Sequence, residues 1–241
     1  MDAIILAGGK GTRLRNAVQG VPKPLAPICG VPFLDLALQR IEDSREVQRV
    51  VLAVGYMGDM IVERYSAVRR FSFEIRFSIE THLLGTGGAL RNALSLAESQ
   101  DVLVQNGDTF IEVDYRALIS QHRERNAEMT MVLTRVAEPE RYGTVNVGPD
   151  LRIHSFAEKS AHATSNLINA GVYLIRRDLL TRIPEGRVVS LERDLLPSLV
   201  QGRSFGFESA GRFIDIGTPE SYQEAQHLLK EATEWHKKRS S

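Results

Sequence analysis

The chain has 241 residues, enough for one large α/β domain and less readily for two small ones. Its 30 basic and 30 acidic residues balance, which argues against a general nucleic-acid binder but leaves room for a local phosphate pocket. Cys29 is the single cysteine, so no intramolecular disulfide forms, and the opening Met1–Ala7 has no basic leader. Because no stretch approaches about twenty apolar residues, we expect a soluble cytoplasmic protein without membrane contact.

Short apolar runs alternate with helical patterns in the first half of the chain. Buried strands are predicted at Ala3–Ala7, Arg49–Val54, Phe73–Ile79 and Val102–Gln105. Helices are predicted between them at Pro32–Ile41, Asp59–Val68 and Gly87–Ala97. This alternation predicts a parallel sheet with right-handed crossovers, in which ligands bind beyond the carboxyl ends of the strands.

The pattern changes after Asp108. Helices are predicted at Asp114–Arg125, at Ser190–Leu199 with Ser190 as N-cap, and at about Pro219–Lys238. Strands are predicted at Thr130–Val136, Thr144–Val147, Ile153–Ala157 and Ile168–Ile175, with a turn at Gly148–Asp150. A mixed or antiparallel part therefore follows the parallel half. We expect His227 and His236 on the last helix to face solvent and the closing Lys237–Ser241 to fray.

A glycine-rich loop, Gly8–Leu14, follows the first predicted strand. Its glycines let backbone N–H groups approach an anion closely, and Lys10 and Arg13 add positive charge in the same loop. Leu14 stands where the dinucleotide fingerprint needs glycine, and the spacing does not fit a P-loop. The alternative is a tight turn that binds nothing. We interpret the loop as a phosphate site of another kind.

Lys23 lies between Pro22 and Pro24, which stiffen the backbone and restrict where the lysine can point. A restricted ammonium is useful against a phosphate, although a lysine in a proline loop is also an ordinary surface residue. Asp108 and Asp215 each lie in or just after an apolar run, where an unpaired charge would be costly. Carboxylates are ligands that Mg²⁺ prefers, whereas each aspartate alone is also compatible with capping a helix or turn.

These residues belong to a longer set of motifs that resembles one family. The stretches are Leu6–Leu14, Pro22–Pro24, Leu84–Leu90, Asn106–Asp108, Tyr142–Val145, Phe156–Lys159, Asn169–Tyr173 and Asp215–Pro219. In this order they are similar to the signature of sugar-1-phosphate nucleotidyltransferases along nearly the whole chain. The resemblance implies a Rossmann-like three-layer α/β/α (GT-A-like) fold with a mostly parallel mixed sheet, and a single catalytic domain over residues 1–241.

The resemblance also implies the reaction and its residues. A sugar 1-phosphate attacks the α-phosphate of a nucleoside triphosphate and releases pyrophosphate with Mg²⁺ assistance. Catalytic roles are implied for Arg13, Lys23 and Asp108, and Mg²⁺ ligation for Asp108 and Asp215. The nucleotide site would comprise Leu6, Ala7, Gly8, Gly9, Gly11, Thr12, Glu80, Gly85, Thr86, Gly87, Gln105, Asn106 and Gly107. The sugar-phosphate site would comprise Gly143, Glu158, Lys159, Asn169 and Gly171.

Base selection is expected to fall to Gly85–Gly88, Glu80 and Gln105. A carboxylate can accept from N1–H and N2–H₂ of guanine, so Glu80 suits a guanine, although it is equally a strand-end surface charge. Glu158 and Lys159 are likewise compatible with an ordinary surface salt bridge. Within the family, the opening stretches favour members that use GTP and a manno-configured heptose 1-phosphate.

Several alternatives stay open from the sequence. The sugar 1-phosphate is alternatively that of mannose, glucose or N-acetylmuramic acid, with GTP, dTTP or UTP. A non-catalytic nucleotide-sugar sensor would lack catalytic groups that are present here, and a Rossmann dehydrogenase is disfavoured by Leu14. The length leaves no room for the added domain of many relatives. The resemblance admits a homo-oligomer and implies no nucleic-acid partner.

Overall fold

The computed structural model describes residues 1–14, 17–67, 71–159 and 165–240, with backbone only for 238–240. The strands are β1 Asp2–Leu6, β2 Pro27–Ile28, β3 Val31–Pro32, β4 Arg49–Val54, β5 Glu74–Ile79, β6 Asp101–Asn106, β7 Thr109–Ile111, β8 Met129–Arg135, β9 Thr144–Val147, β10 Ile153–Ala157, β11 Leu167–Arg176, β12 Ser204–Glu208 and β13 Phe213–Asp215. The α-helices are α1 Phe33–Ser44, α2 Gly58–Ser66, α3 Gly85–Ala93, α4 Tyr115–Glu124, α5 Arg177–Leu180, α6 Leu196–Leu199, α7 Pro219–Leu228 and α8 Lys230–Ser240.

The central sheet runs β10-β9-β11-β6-β1-β4-β5, and β8 and β12 extend from β11. β6, β1, β4 and β5 are parallel, as the alternating pattern predicts. β11 then pairs antiparallel with β6 and β8, and β9 pairs antiparallel with β10. The predicted change from a parallel to a mixed sheet after Asp108 is therefore confirmed.

Helices cover both faces of this sheet, because its strands present apolar side chains on either side. One cluster joins Ile5, Leu52 and Leu103 to α1, α2 and α4. The other joins Ile4 and Val104 to α3, α5 and α6. Successive residues of β1 thus enter opposite clusters, as the two-residue period of a strand requires.

A third apolar cluster lies beside the sheet and binds the two ends of the chain together. It joins Phe33 and Ile28 near the β2–β3 hairpin to Phe110 on β7, Ile214 on β13 and Ala225 on α7. β7 and β13 pair antiparallel in a two-stranded sheet of their own, with Asp215 opposite Thr109. β13 is therefore held against β7, which follows β6 directly.

The predicted elements are found with bounds that shift by at most four residues, and two of them differ in kind. The predicted helix Pro219–Lys238 is two helices, because the backbone leaves helical geometry at Leu229 (φ −101°, ψ 9°). The predicted helix Ser190–Leu199 begins with a π-helical turn before α6, and Ser190 Oγ accepts from the Arg193 N–H, as expected of an N-cap. The Gly148–Asp150 turn is confirmed, and Val68 lies outside the described residues.

The sequence did not predict the shortest elements. These are β2, β3, β7, β12, β13 and α5, of which all but β12 are two to four residues long. Such segments carry too few residues to show a period of two or of 3.6. β12 has five residues, but Gly206 interrupts the pattern that Phe205 and Phe207 start.

The expectation that His236 faces solvent is wrong. The side chain is buried at 3% exposure, and its Nε2 lies 3.7 Å from Oδ2 of Asp35, itself 1% exposed. The same carboxylate accepts from the Tyr65 hydroxyl at 2.5 Å and from Arg64 at 2.8 Å. α8 therefore closes over α1 and α2 through a buried charged cluster, whereas His227 is exposed as expected. Among the described residues, no helix is both long and apolar enough to cross a bilayer.

Candidate active site

A cleft of about 810 Å³ opens at the carboxyl ends of the parallel strands. It receives nearly all the residues that the sequence assigns to the site; of that set, only Gly87, Gly88 and Gln105 do not line it. The cleft is also lined by residues that the sequence did not assign, namely Lys10, Pro24, Leu83, Ala89, Thr109, Arg141, Tyr142, Ser190, Glu192, Arg193, Phe213 and Gly217.

The glycine loop Gly8–Leu14 follows β1 and forms one wall of the cleft. A Cβ at Gly8 would lie 2.5 Å from Oε2 of Glu80, so only glycine lets the Glu80 carboxylate lie against this backbone. Gly11 has φ +56°, and a Cβ there would lie 3.2 Å from Cβ of Lys23. At Gly8 and Gly11 the missing Cβ therefore leaves room for the side chains of Glu80, which follows β5, and of Lys23 in the proline loop.

The second glycine segment, Gly85–Gly88, opens α3 and has a similar explanation. Gly85 has φ +72°, and its added Cβ would lie 2.5 Å from the carbonyl oxygen of Val189. The N–H groups of Gly87 and Gly88 both donate to that same oxygen, at 2.8 and 3.2 Å. Because these residues lack a Cβ, the backbone around Val189 packs directly against the start of α3. Gly87 lies behind the wall of the cleft, so the expected nucleotide contact from Gly87 is not supported.

The expected contribution of Gln105 to base selection is also not supported. Its side chain is 2% exposed, and its Oε1 accepts from the Tyr115 hydroxyl at 3.1 Å. Asn106, the next residue on β6, lines the cleft instead. Neighbouring residues of a strand point to opposite faces, and Gln105 is on the face that α4 covers.

Lys23, Asp108 and Asp215 converge at the floor of the cleft. Lys23 Nζ lies 2.6 Å from Oδ2 of Asp108 and 3.4 Å from Oδ1 of Asp215, although these residues are 85 and 192 positions away in the chain. The β7–β13 pairing brings the two carboxylates together, and the Ile216 N–H donates to the Asp108 carbonyl at 3.1 Å. Three charged groups from distant parts of the chain thus form one cluster.

The charges in this cluster shift one another's ionisation. Burial raises the pKa of Asp108, but the Lys23 ammonium outweighs burial and holds that pKa below its usual value. Burial and the charge of Asp108 together raise the pKa of Asp215 despite Lys23. Burial lowers the pKa of Lys23, yet the two carboxylates raise it overall. Lys23 is therefore a stable cation, and Asp108 is the more acidic of the two carboxyls.

The donor set of this cluster fits a hard divalent cation. Two carboxylates, 40% and 32% exposed, face the cleft. The described part of the chain holds no group of three or more His, Cys, Asp or Glu residues that would complete a metal site by itself. Mg²⁺ commonly binds through one or two carboxylates, with water and substrate phosphate completing its shell, so Asp108 and Asp215 fit Mg²⁺ better than a transition metal.

The residues assigned to the sugar phosphate also line the cleft. A Cβ at Gly143 would lie 2.6 Å from the Phe156 ring and 2.9 Å from Oε2 of Glu158, so glycine allows a close approach here. Lys159 Nζ lies 3.5 Å from Oε1 of Glu158. Burial raises the pKa of Glu158. The pair faces the cleft, with acceptors from Glu158 and donors from Lys159 available to a sugar and its phosphate.

A bulge in β11 contributes two further residues to the cleft wall, Asn169 and Gly171. Asn169 donates to the Tyr173 hydroxyl at 2.6 Å and accepts from the Gly171 N–H at 2.9 Å. Gly171 has φ +72°, and an added Cβ would lie 3.1 Å from Nδ2 of Asn106. Oδ1 of Asn106 is buried and has no hydrogen-bond partner among the described residues. An acceptor in this position is suited to a ligand hydroxyl or amino group.

The sequence missed two groups of polar residues in the cleft. Arg141 and Tyr142 follow β8, and Glu192 accepts from the Thr86 hydroxyl at 2.8 Å and the Ser190 hydroxyl at 3.2 Å. The polar side of the helix after Ser190 was a detectable signal for Glu192. Nothing in the sequence indicated that this turn packs against Thr86.

Comparison with known proteins agrees with this geometry. A family model described as Nucleotidyl transferase matches residues 2–232. The D-glycero-alpha-D-manno-heptose 1-phosphate guanylyltransferase of Aneurinibacillus thermoaerophilus is 39% identical over 231 residues, which cover 95% of this chain and 99% of that protein. The mannose-1-phosphate guanylyltransferase of Mycobacterium tuberculosis is 35% identical over 225 residues, which cover 92% of this chain. The match spans 62% of the length of that relative.

Solved structures also match this chain over nearly its whole length. HddC from Yersinia pseudotuberculosis superposes with a TM-score of 0.82 at 35% identity, covering 95% of this chain and 99% of that chain. The same protein complexed with GMP-PN also gives a TM-score of 0.82, at 34% identity. The predicted Rossmann-like nucleotidyltransferase fold is confirmed. With its cleft, its sheet order and a family match over nearly its whole length, the chain belongs to the nucleotidyl transferase family.

Proposed function

We propose that the protein is a single-domain cytoplasmic enzyme that joins GTP to a manno-configured heptose 1-phosphate, forming GDP-heptose and pyrophosphate with Mg²⁺. The observation that carries this proposal is the convergence of Lys23, Asp108 and Asp215 in one cleft, which the glycine loop and the Glu158–Lys159 pair also line. A sensor without catalysis would not need this charged cluster.

The reaction needs positioning and charge neutralisation more than a side-chain nucleophile. An oxygen of the sugar 1-phosphate forms a bond to the α-phosphorus of GTP, and the bond from that phosphorus to the bridging oxygen breaks as pyrophosphate leaves. The attacking oxygen is already ionised near neutral pH, so no general base is required. Mg²⁺, when bound to Asp108 and Asp215, would supply positive charge to the phosphates.

The residues of the chain then hold the two substrates in line. The glycine loop presents its backbone and the Arg13 guanidinium, which suits the charge that develops on the leaving pyrophosphate. The Lys23 ammonium donates a hydrogen bond to a phosphate oxygen near the α-phosphorus. Glu158, Lys159 and Asn169 orient the sugar and its phosphate in the same cleft. Each role is supported by the position of the residue in the cleft wall.

One comparison favours heptose over mannose as the sugar. The heptose 1-phosphate guanylyltransferase relative is 39% identical over 231 residues, whereas the mannose-1-phosphate relative is 35% identical over 225 residues. Mannose 1-phosphate is the second candidate, because both sugars share the manno configuration. Glucose 1-phosphate or N-acetylmuramic acid 1-phosphate with dTTP or UTP is the third.

The test is a pyrophosphate-release assay with GTP, ATP, UTP and dTTP against heptose, mannose, glucose and N-acetylmuramic acid 1-phosphates. We expect the highest kcat/KM for GTP with the heptose 1-phosphate, and a lower value for GTP with mannose 1-phosphate. Turnover with UTP or dTTP, and none with GTP and any sugar, would overturn the guanine assignment. No turnover with any pair would overturn the enzyme assignment.

Glu80→Gln should raise the KM for GTP by about tenfold to a hundredfold, because the amide replaces an acceptor of guanine N–H groups with a donor. Oε1 of Glu80 accepts from the Leu84 N–H at 3.0 Å, and glutamine keeps an oxygen for that bond, so the local backbone is preserved. Steady-state kinetics with varied GTP check this, and Glu63→Gln, a charge loss on exposed α2, is the control. An unchanged KM for GTP would remove Glu80 from base selection.

A further inference from the structure

Lys23 is held by the same carboxylates that would bind the metal. Its Nζ contacts Oδ2 of Asp108 at 2.6 Å and Oδ1 of Asp215 at 3.4 Å. The Lys23 side chain is 10% exposed, whereas the aspartate side chains are 40% and 32% exposed. The ammonium therefore approaches the two carboxylates from the protein side, and the carboxylates open toward the cleft.

A divalent cation and this ammonium compete for one small region. Mg²⁺ binds carboxylate oxygens at about 2.0–2.1 Å and requires nearly octahedral geometry. A doubly charged ion at these carboxylates would lie within a few ångströms of the ammonium in its present position, where like charges repel strongly. The pair of aspartates carries two negative charges, of which Lys23 neutralises one.

The Lys23 backbone is fixed, but its side chain has freedom to move. The 3₁₀ turn Lys23–Leu25 is closed by the Ala26 N–H, which donates to the Lys23 carbonyl at 3.0 Å. The first part of the stem packs against Gly11. Rotation about the outer bonds of the four-carbon stem moves the ammonium without moving the loop.

We propose that Lys23 is a resident counter-cation, which holds the metal site closed until a divalent cation displaces its ammonium toward the substrate phosphates. This inference rests on the proposed metal-assisted transfer. It gives Lys23 two successive partners, first the aspartates and then a phosphate. Before the metal binds, the Lys23 ammonium thus neutralises part of the negative charge of the two aspartates. That ammonium becomes available to a phosphate only after the metal has bound.

Lys10 and Arg13, unlike Lys23, are not paired with the carboxylates of the proposed metal site. Both line the cleft, yet neither forms an ion pair with another residue of the described ranges. They are available to phosphate whether or not the carboxylates hold a metal. Lys10 therefore offers a matched control, because it is a lysine of the same cleft that does not touch Asp108 or Asp215.

The test is Mn²⁺ binding to the nucleotide-free full chain, followed by the EPR signal of free Mn²⁺. Lys23→Met keeps the stem and removes the charge, and we expect Mn²⁺ to bind on the order of tenfold more tightly than to the wild type. Lys10→Met should leave Mn²⁺ affinity within about twofold, and Asp215→Asn should weaken it. Circular dichroism checks that every variant is folded.

Equal or weaker Mn²⁺ binding by folded Lys23→Met would overturn the counter-cation role. An equal gain in Lys10→Met would also overturn it, because the effect would then follow net charge and not the contact with the aspartates. Tighter Mn²⁺ binding by Lys23→Met in a protein that shows no nucleotidyl transfer would leave this inference standing while the proposed function fails. Transfer activity together with unchanged Mn²⁺ binding would give the opposite result.

Discussion

Asp108→Asn should lower the rate of pyrophosphate release by about 10³-fold while GTP binding partly survives. The substitution keeps the shape of the side chain but removes a negative charge from the cluster with Lys23 and Asp215. The metal site then has one carboxylate. The glycine loop and the base-side wall, which is the cleft lining around Glu80 and Gly85, are untouched. Turnover under saturating Mg²⁺ and GTP affinity by calorimetry are the two measurements.

Asp178→Asn is the matched control for this change. Asp178 is an exposed surface aspartate, paired with Arg176, and it lies outside the cleft. Surface ion pairs contribute little to stability, so the control should turn over at the wild-type rate. A turnover rate for Asp108→Asn within about threefold of the wild type would remove Asp108 from the metal site.

Gly88→Ala should destabilise the protein by about 2–3 kcal/mol and raise the KM for GTP. Alanine is the better helix former, so propensity alone would predict a gain of about 1 kcal/mol. The added Cβ, however, would collide with the Arg187 carbonyl and lie 2.7 Å from Cβ of Leu84. To relieve this collision, the Arg187–Val189 chain must move away from the start of α3, which distorts the base-side wall.

Urea denaturation and GTP kinetics measure both effects. Gly9→Ala is the stability control, because no heavy atom lies within 4 Å of its added Cβ. Its free energy of unfolding should stay within about 0.5 kcal/mol of the wild type. If Gly88→Ala is as stable as Gly9→Ala, the Arg187–Val189 backbone moves aside at little cost in free energy. The close packing at Gly88 would then not require glycine.

The sequence predicted the elements that have a clear period and missed those too short to have one. β4, β9 and β10 were predicted residue for residue, because their apolar residues end at polar or turn-forming neighbours. β7 and β13 have three residues each, and no pattern in the sequence indicated that they pair. Their pairing is nevertheless what brings Asp108 to Asp215, which the sequence placed together only through the family resemblance.

The two glycine-rich segments also have a packing role that the sequence did not indicate. Both glycine-rich segments were interpreted as close approaches to a nucleotide. The structure shows that Gly8 admits the Glu80 side chain and that Gly85 and Gly88 admit the Arg187–Val189 chain. A missing Cβ has the same appearance in a sequence whether a ligand or another part of the protein takes its place. The different surroundings of Gln105 and Asn106 follow from strand geometry, since neighbouring residues cannot face the same side of β6.

The pairing of β7 with β13 has a consequence for refolding. The glycine loop and Asp108 lie in the first half of the chain, and their strands are neighbours in the parallel sheet, whereas Asp215 arrives only when the last strand docks. Contacts between such distant segments form late, because a large loop must close first. Recovery of turnover after dilution from denaturant should therefore lag behind recovery of the parallel core, and it would report the completion of the native state.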